Sequence, residues 1–349
     1  MISLCMICGN EEAIIEQCLD SAREAFDELC IVRAIGGSEP DSTVALAREW
    51  CERSDKKFRF QEYFNDAQFP HVDDFAAARN QSFYMARGEL LLWLDCDDYL
   101  DEINCRRIRE LESNTEYRGF YCPYVVDEVQ GSTTMRERLI RRGSGRWKNP
   151  IHETCIITGP TCQVPQIIVR HREHAHKHQS SAARNAAILT SILSDVPRQY
   201  FYLHAELKLL GKSSESIAAG ITALALLDES KTEERYNIFL NLSELEPANR
   251  MTWLLKAVQI EPHRREAFAY LSQARLIDGD VSDAVSYFRM MDALPDPQPI
   301  PWTHQGIWYG KWARNALRVR LLRACGQNEQ AEKEHAAHLG DPLYIEEMK

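Results

Sequence analysis

Leu90-Leu91-Leu92-Trp93-Leu94-Asp95-Cys96-Asp97-Asp98 is the stretch on which the fold of this chain turns. The apolar run is far shorter than the ~20 residues of a membrane span and reads as a buried strand. Three carboxylates at its exposed end repel one another and are costly unless something cationic gathers them. Hard oxygens at this density suit Mg²⁺ or Mn²⁺, ions that usually share their shell with substrate phosphates. A second reading makes the cluster a cap, with Asp98 or Asp101 starting the next helix.

Outward from this strand, short apolar runs alternate with amphipathic segments. Ile2 to Ile7 reads as a strand, and Glu11 to Phe26 carries Ile14, Ile15, Cys18, Leu19 and Ala22 at helical spacing. Leu29 to Ile35 is a second strand, and Asp41 opens a helix with Val44, Leu46, Ala47 and Trp50. Phe58 to Tyr63 is a third strand, and Asp73 to Ala86 a helix. This alternation predicts a parallel, doubly wound sheet with crevices at the strand C-termini. Arg118 to Val169 is richer in strands and turns and reads as a mixed or antiparallel extension.

After about Gln179 the strands stop and helix follows helix. Ala267, Ala269, Ala274, Gly279, Ala284, Tyr287 and Phe288 follow the small/large pattern of a tetratricopeptide unit. The small residues let two antiparallel helices approach, and the aromatics fill the gap to the next pair. Gly211 precedes Gly279 by 68 residues, two units of the ~34 expected for this repeat. Gly326 with Ala331 marks a further unit, displaced by the proline-rich insertion Pro295 to Pro301. Units around Tyr202–Leu227 and Tyr236–Pro262 are degenerate, giving three or four in all. The expected division is an α/β domain over 1–178 and an all-α repeat domain over 179–349.

A chain of 349 residues, 44% hydrophobic and 27% charged, has material for two packed domains and is not globally disordered. Its 41 Lys+Arg against 52 Asp+Glu leave −11, which argues against general coating of nucleic acid. One local basic strip survives: Arg136, Arg138, Arg141, Arg142, Arg146 and Lys148. It is either a solvated strand face or a surface for a diphosphate or an anionic acceptor. All of the eleven cysteines but Cys325 lie at or before Cys162, several inside apolar runs, and the odd count suits a reducing cytosol. Cys5 and Cys8 form a C-x-x-C without the second pair that a structural zinc site needs. With no membrane-length run and no basic flank before the first apolar residues, the expectation is a cytoplasmic protein with no membrane partner.

The spacing of further motifs gives the aspartates company. Asn10-Glu11-Glu12 follows the first strand; Gly37-Ser38 with Asp41 and Thr43 follows the second; Asp74-Phe75 with Arg79-Asn80 and then Gly88-Glu89 precede the fourth. Trp147, His152-Glu153 and His171 come later. In this order the chain resembles the family-2 glycosyltransferases, in the branch where a GT-A nucleotide-sugar domain is followed by tetratricopeptide repeats. The resemblance covers essentially the whole chain.

It implies an α/β GT-A domain, a Rossmann-like mixed sheet, and a metal-dependent inverting transfer of a sugar, a hexose by expectation. The donor would be a nucleotide-sugar, a UDP-sugar first, held by Asn10, Glu12, Gly37, Ser38, Asp74, Arg79, Asp95 and Asp97. The D-x-D implies Mn²⁺ or Mg²⁺ on Asp97, with His171, Asp95 and His152 as further ligands and Asp95 nearer the ribose. Glu153 stands where the fold usually places its catalytic carboxylate, with Asp127 and Glu128 in reserve. Arg79 either pairs with Asp73 and Asp74 or reaches the diphosphate. The acceptor is a protein or peptide, a glycan, or a modified nucleic-acid base, offering a hydroxyl or a thiol. The repeats could also form a homodimer. One departure touches the base pocket: Arg33-Ala34-Ile35-Gly36 stands where the family usually carries an Asp before its Gly-Ser turn. The alternative function is a catalytically idle GT-A domain that scaffolds partners through its repeats.

Overall fold

The computed structural model describes residues 1–64, 72–127, 132–172, 178–295 and 311–349. The chain divides into two compact units, Met1–Glu128 with Thr133–Ile188, and Val129–Ser132 with Leu189–Lys349.

The first unit is built on a sheet whose central strand, β1 (Ile2–Cys8), is buried along its whole length. Parallel to it on one side run β2 (Glu28–Arg33) and then β3 (Lys57–Glu62), and on the other side β4 (Leu90–Trp93). Helices α1 (Ile15–Ala22), α2 (Thr43–Arg53) and α3 (Phe75–Met85) form the crossovers. Beyond β4 the sheet continues through β7 (Ser132–Arg141), β6 (Gly119–Asp127), β11 (Val169–His171) and the two-residue β5 (Asp98–Tyr99). β7 is antiparallel to β4 and β11 antiparallel to β5, so the sheet is mixed, as the sequence predicts for its second half. A separate hairpin pairs β8 (Gly145–Lys148) with β9 (Thr154–Ile157), and β10 (Thr161–Gln163) lies against β6.

Alternation along β1 sends side chains to two cores. Leu4, Met6 and Cys8 join one with Leu19, Phe26 and Trp50; Cys5 joins the other with Trp93 and Trp147. Cys5 and Cys8, three apart on a strand, therefore point to opposite faces and cannot share an ion. All eleven cysteines are free thiols, and nine are buried.

Two segment boundaries depart from the periodicity. The first helix starts at Ile15 rather than Glu11, and the Glu11 and Glu12 amides donate to the side chains of Thr43 (2.7 Å) and Asp41 (3.0 Å). The second starts at Thr43 rather than Asp41, whose carboxylate instead accepts from the Thr43 amide and hydroxyl. Gly88 lies at a closely packed sheet end. Its amide donates to Ser3 Oγ (2.8 Å), which donates to the buried Glu28 (2.6 Å), itself paired with Arg59.

The second unit is helical. Four antiparallel pairs succeed one another: α6 (Pro197–Leu209) with α7 (Ser213–Leu226), α8 (Thr232–Leu245) with α9 (Arg250–Ile260), α10 (Arg265–Ile277) with α11 (Val281–Ala293), and α12 (Trp312–Ala324) with α13 (Asn328–Ala337). A short α14 (Pro342–Met348) ends the chain. Gly211, Gly279 and Gly326 turn three of these pairs with φ of +69°, +80° and +73°. Most of the proline-rich insertion lies outside the described residues. No described helix is long and apolar enough to cross a membrane.

Two glycines give contrasting expectations. A Cβ on Gly88 would sit 2.6 Å from the Ser3 amide nitrogen and 2.9 Å from the Met1 carbonyl oxygen, backbone atoms that cannot swing aside. Gly88→Ala is expected to destabilise the first unit by about 1–3 kcal/mol. At Gly279 a Cβ meets nothing within 4 Å, so Gly279→Ala is left with only the cost of a left-handed backbone, about 1–2 kcal/mol. Denaturant midpoints of the two variants check both; an unchanged midpoint for Gly88→Ala would show that the sheet end can shift.

Candidate active site

Strand β2 lies on one side of β1 and β4 on the other, so consecutive connections diverge at the ends of β1 and β4. Such a divergence leaves a crevice where ligands bind in doubly wound sheets. Here it is a cleft of about 600 Å³, a volume suited to a small-molecule ligand. The β1 end contributes Cys8, Gly9 and Asn10, and the β4 end contributes Asp95, Cys96 and Asp97.

The carboxylates at the β4 end are not equivalent. Asp98 is buried, and its Oδ2 accepts from Arg138 Nη1 and from the Asp95 amide, at 2.8 and 2.9 Å. Arg138 is itself fully buried, its guanidinium 3.9 Å from the Trp93 ring centre and 4.2 Å from that of Tyr124. Burial, with Asp95 and Asp97 close by, pushes the Asp98 carboxyl up despite Arg138. The capping role goes to Asp101, which accepts from the Asn104 amide at the start of α4 (Glu102–Glu110).

Asp97, Asp98 and His171 converge, with one ligand atom from each lying within 4.8 Å of the others. Strand pairing explains it, because β11 runs antiparallel to β5 and sets His171 opposite Asp98. His171 Nδ1 stands 3.7 Å from Asp97 Oδ1. Two of these groups, Asp98 Oδ1 and His171 Nδ1, are buried without a hydrogen-bond partner among the described residues. Buried polar atoms are seldom left so. A hard divalent cation fits two carboxylates and an imidazole.

Asp95 takes a different partner. Arg79, on α3, donates from Nη2 to Asp95 Oδ1 (2.8 Å) and from Nε to Glu153 Oε1 (2.6 Å). The expected pairing of Arg79 with Asp73 and Asp74 is thus replaced. Asp74 caps α3 by accepting from the Ala77 amide, while Asp73 accepts from the Tyr63 hydroxyl. Burial raises the Glu153 pKa, but the Arg79 guanidinium outweighs it and holds the carboxyl below its usual range. The same balance lowers Asp95.

His152 lines the cleft with φ of +52°, a left-handed backbone uncommon outside glycine. Asn80 braces the hairpin nearby: its amide group donates to the Trp147 carbonyl and accepts from the Trp147 amide, both at 2.9 Å. Asn10 and Ser38 reach the cleft wall, whereas Glu12 and Asp41 knit the two loops beneath, Glu12 accepting from the Ser42 amide (3.1 Å). Gly37 is exposed in the same turn. Ala34 and Ile35 line the cleft where a carboxylate was absent from the sequence. Asp127 closes β6, and Glu128 lies outside the described residues.

The basic strip is not one face. Arg138 and Arg141 are buried, Arg141 donating to the carbonyls of Leu111 and Glu112. Arg136 lines the cleft, and only Arg142, Arg146 and Lys148 are exposed. Periodicity gives no hint of this, since burial of an arginine depends on a partner, Asp98, 40 residues away. The sequence shows a helix here, now α5 (His178–Ser191), but not that its Ser181, Arg184 and Asn185 line the cleft. Arg184 sits 4.8 Å over the Phe75 ring.

Comparison with known proteins gives the family of the chain. Residues 3–178 match the model of glycosyl transferase family 2. The glycosyltransferase SunS of Bacillus subtilis is 23% identical over 225 residues, covering 61% of this chain and 50% of SunS. A TPR repeat-containing protein of Synechococcus elongatus is 31% identical over 156 residues, covering 44% of this chain and 34% of that protein. The chain thus spans between a third and a half of the length of these relatives. Among solved structures, S. aureus TarS aligns with a TM-score of 0.42 and 12% identity over 76% of this chain and 55% of TarS. MamA aligns with a TM-score of 0.37 and 12% identity over 47% of this chain and 84% of MamA. With half of its length matched by the family model, the chain belongs to glycosyl transferase family 2.

Proposed function

We propose that the chain is a metal-dependent, inverting glycosyltransferase that moves a hexose from a nucleotide-sugar to a hydroxyl or thiol of its acceptor. One observation carries this reading: a single cleft is lined both by Asp97 and His171, which converge with the buried Asp98, and by a partly buried, arginine-held Glu153. In this proposal Asp97, His171 and Asp98 hold Mg²⁺ or Mn²⁺, which when bound offsets the charge developing on the departing nucleoside diphosphate. Asp95 and Asn10 serve the nucleoside side of the donor. UDP-sugars are the first donors to test and GDP-sugars the second, since Ala34 and Ile35 offer no carboxylate to a base.

Glu153 acts as the general base. It takes the acceptor's proton while the acceptor oxygen or sulfur bonds to the anomeric carbon. The bond from that carbon to the diphosphate oxygen breaks on the opposite side, which inverts the centre. Arg79 supports this role by keeping the carboxylate ionised. The repeats are assigned to the acceptor, a protein or peptide, a glycan or a modified nucleic-acid base. An idle scaffold, the competing function, would release no nucleotide.

The test is release of nucleoside diphosphate from UDP- and GDP-sugars with Mn²⁺, followed by mass spectrometry of candidate acceptors. Asp97→Ala is expected to abolish release and its metal dependence while leaving the unfolding midpoint unchanged or raised, because one of three crowded carboxylates is gone. Near-normal activity of that variant would remove the metal assignment. Glu153→Gln keeps the shape and loses the basicity, so nucleotide binding should persist while turnover falls by ~10²–10⁴. Turnover near the wild-type rate would move the role to Asp127 or Glu128.

A further inference from the structure

Arg79 hydrogen-bonds to both halves of the proposed machinery. Its Nε reaches Glu153 Oε1 at 2.6 Å and its Nη2 reaches Asp95 Oδ1 at 2.8 Å. The residue is 6% exposed and is backed by two indoles, with the ring centres of Trp93 at 4.6 Å and Trp147 at 5.3 Å from the guanidinium carbon. Trp147 is in turn fixed through its own main chain by Asn80, the residue after Arg79. A guanidinium wedged in this way is a rigid fork whose two donor edges are set before any ligand arrives.

Glu153 needs such a fork. It follows His152, whose backbone is left-handed, and it stands just before Thr154, where the pairing of β9 with β8 begins. Strand pairing therefore does not set the direction of its carboxylate, which its hydrogen bonds must do. We propose that Arg79 is a positioning residue. It orients the Glu153 carboxylate and ties that orientation to Asp95, so that base and donor-side aspartate keep a constant relation. This rests on the reading of Glu153 as general base.

A lysine at 79 preserves charge but gathers its three donors on a single nitrogen, which does not reproduce the two separated edges of the guanidinium. The experiment is a double-mutant cycle of Arg79→Lys and Glu153→Gln in the full chain. It follows nucleoside diphosphate release from a UDP-sugar with Mn²⁺, with water as acceptor. In the wild-type background Arg79→Lys is expected to lower kcat about 10–100-fold, the scale of a misplaced group, with KM for the donor changed by less than roughly threefold. With Glu153 already replaced by Gln, the same substitution should lower kcat by less than about twofold, because the residue it acts through is gone.

An equal fall in both backgrounds would overturn the inference, as would a raised KM with kcat retained, which marks a ligand of the donor. A lowered unfolding midpoint with unchanged kcat per folded molecule would also overturn it, leaving Arg79 a structural residue. If Arg79→Lys does not fold, Arg79→Gln carries the same cycle. A wild-type chain that binds nucleoside diphosphate but releases none from any donor would instead overturn the proposed function itself, and the inference with it.

Discussion

The ion pair between Arg138 and Asp98 is the interaction on which the ligand end of the sheet depends. Three aspartates within four residues would repel one another, and Asp98 is held out of water where an unpaired charge is least tolerable. Removing one partner of such a buried pair typically costs about 3–5 kcal/mol, a large share of a domain's stability. Once Arg138 holds Asp98 Oδ2, the Asp95 amide closes on the same oxygen and sets the shape of the loop. That shape turns Asp95 toward Arg79 and leaves Asp97 beside His171. The division of labour among the aspartates follows from one buried arginine.

The fold was largely legible because it rests on local patterns. β1 and β4 are apolar runs buried on both faces, and the helices between them show helical spacing. Candidates for the proposed site stood out where a motif places them near a strand end, as with Asp97 in the loop after β4 and His171 at the end of β11. What sequence reasoning could not supply is which partner each charge takes. Arg79 pairs with residues 16 and 74 positions away, not with Asp73 and Asp74 six and five positions before it, which accept from the Tyr63 hydroxyl and the Ala77 amide. Asn80 was visible only as the motif neighbour of Arg79, and its side chain mimics a strand partner for Trp147. Neither pairing leaves a periodic trace.

The repeats show the same distinction. Their turns were visible where glycine is required, at Gly211, Gly279 and Gly326. The pair between the first two lacks that signal, since α8 and α9 are joined through the short helical turn Pro247–Asn249 instead. Its specificity comes from side chains. Arg264 pairs with Glu266 (2.6 Å) and Glu233 (2.5 Å) and stacks 4.1 Å from the Tyr236 ring centre, so α8 and α10 are joined through a buried polar cluster. A degenerate repeat can thus keep its place in the stack by charge and aromatic contact where its backbone signature is lost.

Charge placement also bears on the acceptor. A chain of net charge −11 needs a concentrated basic surface to hold a polyanion, because attraction to phosphates scales with the number of cations that reach them. The strip from Arg136 to Lys148 is the strongest such concentration in the first half of the sequence. Folding removes Arg138 to Asp98 and Arg141 to main-chain carbonyls, and brings Arg136 beside Glu137 at 3.6 Å. Arg142, Arg146 and Lys148 remain exposed, and three cations make few phosphate contacts. The arginines that looked like a polyanion surface instead mainly build and brace the cleft. This weakens a nucleic-acid acceptor relative to a peptide or glycan.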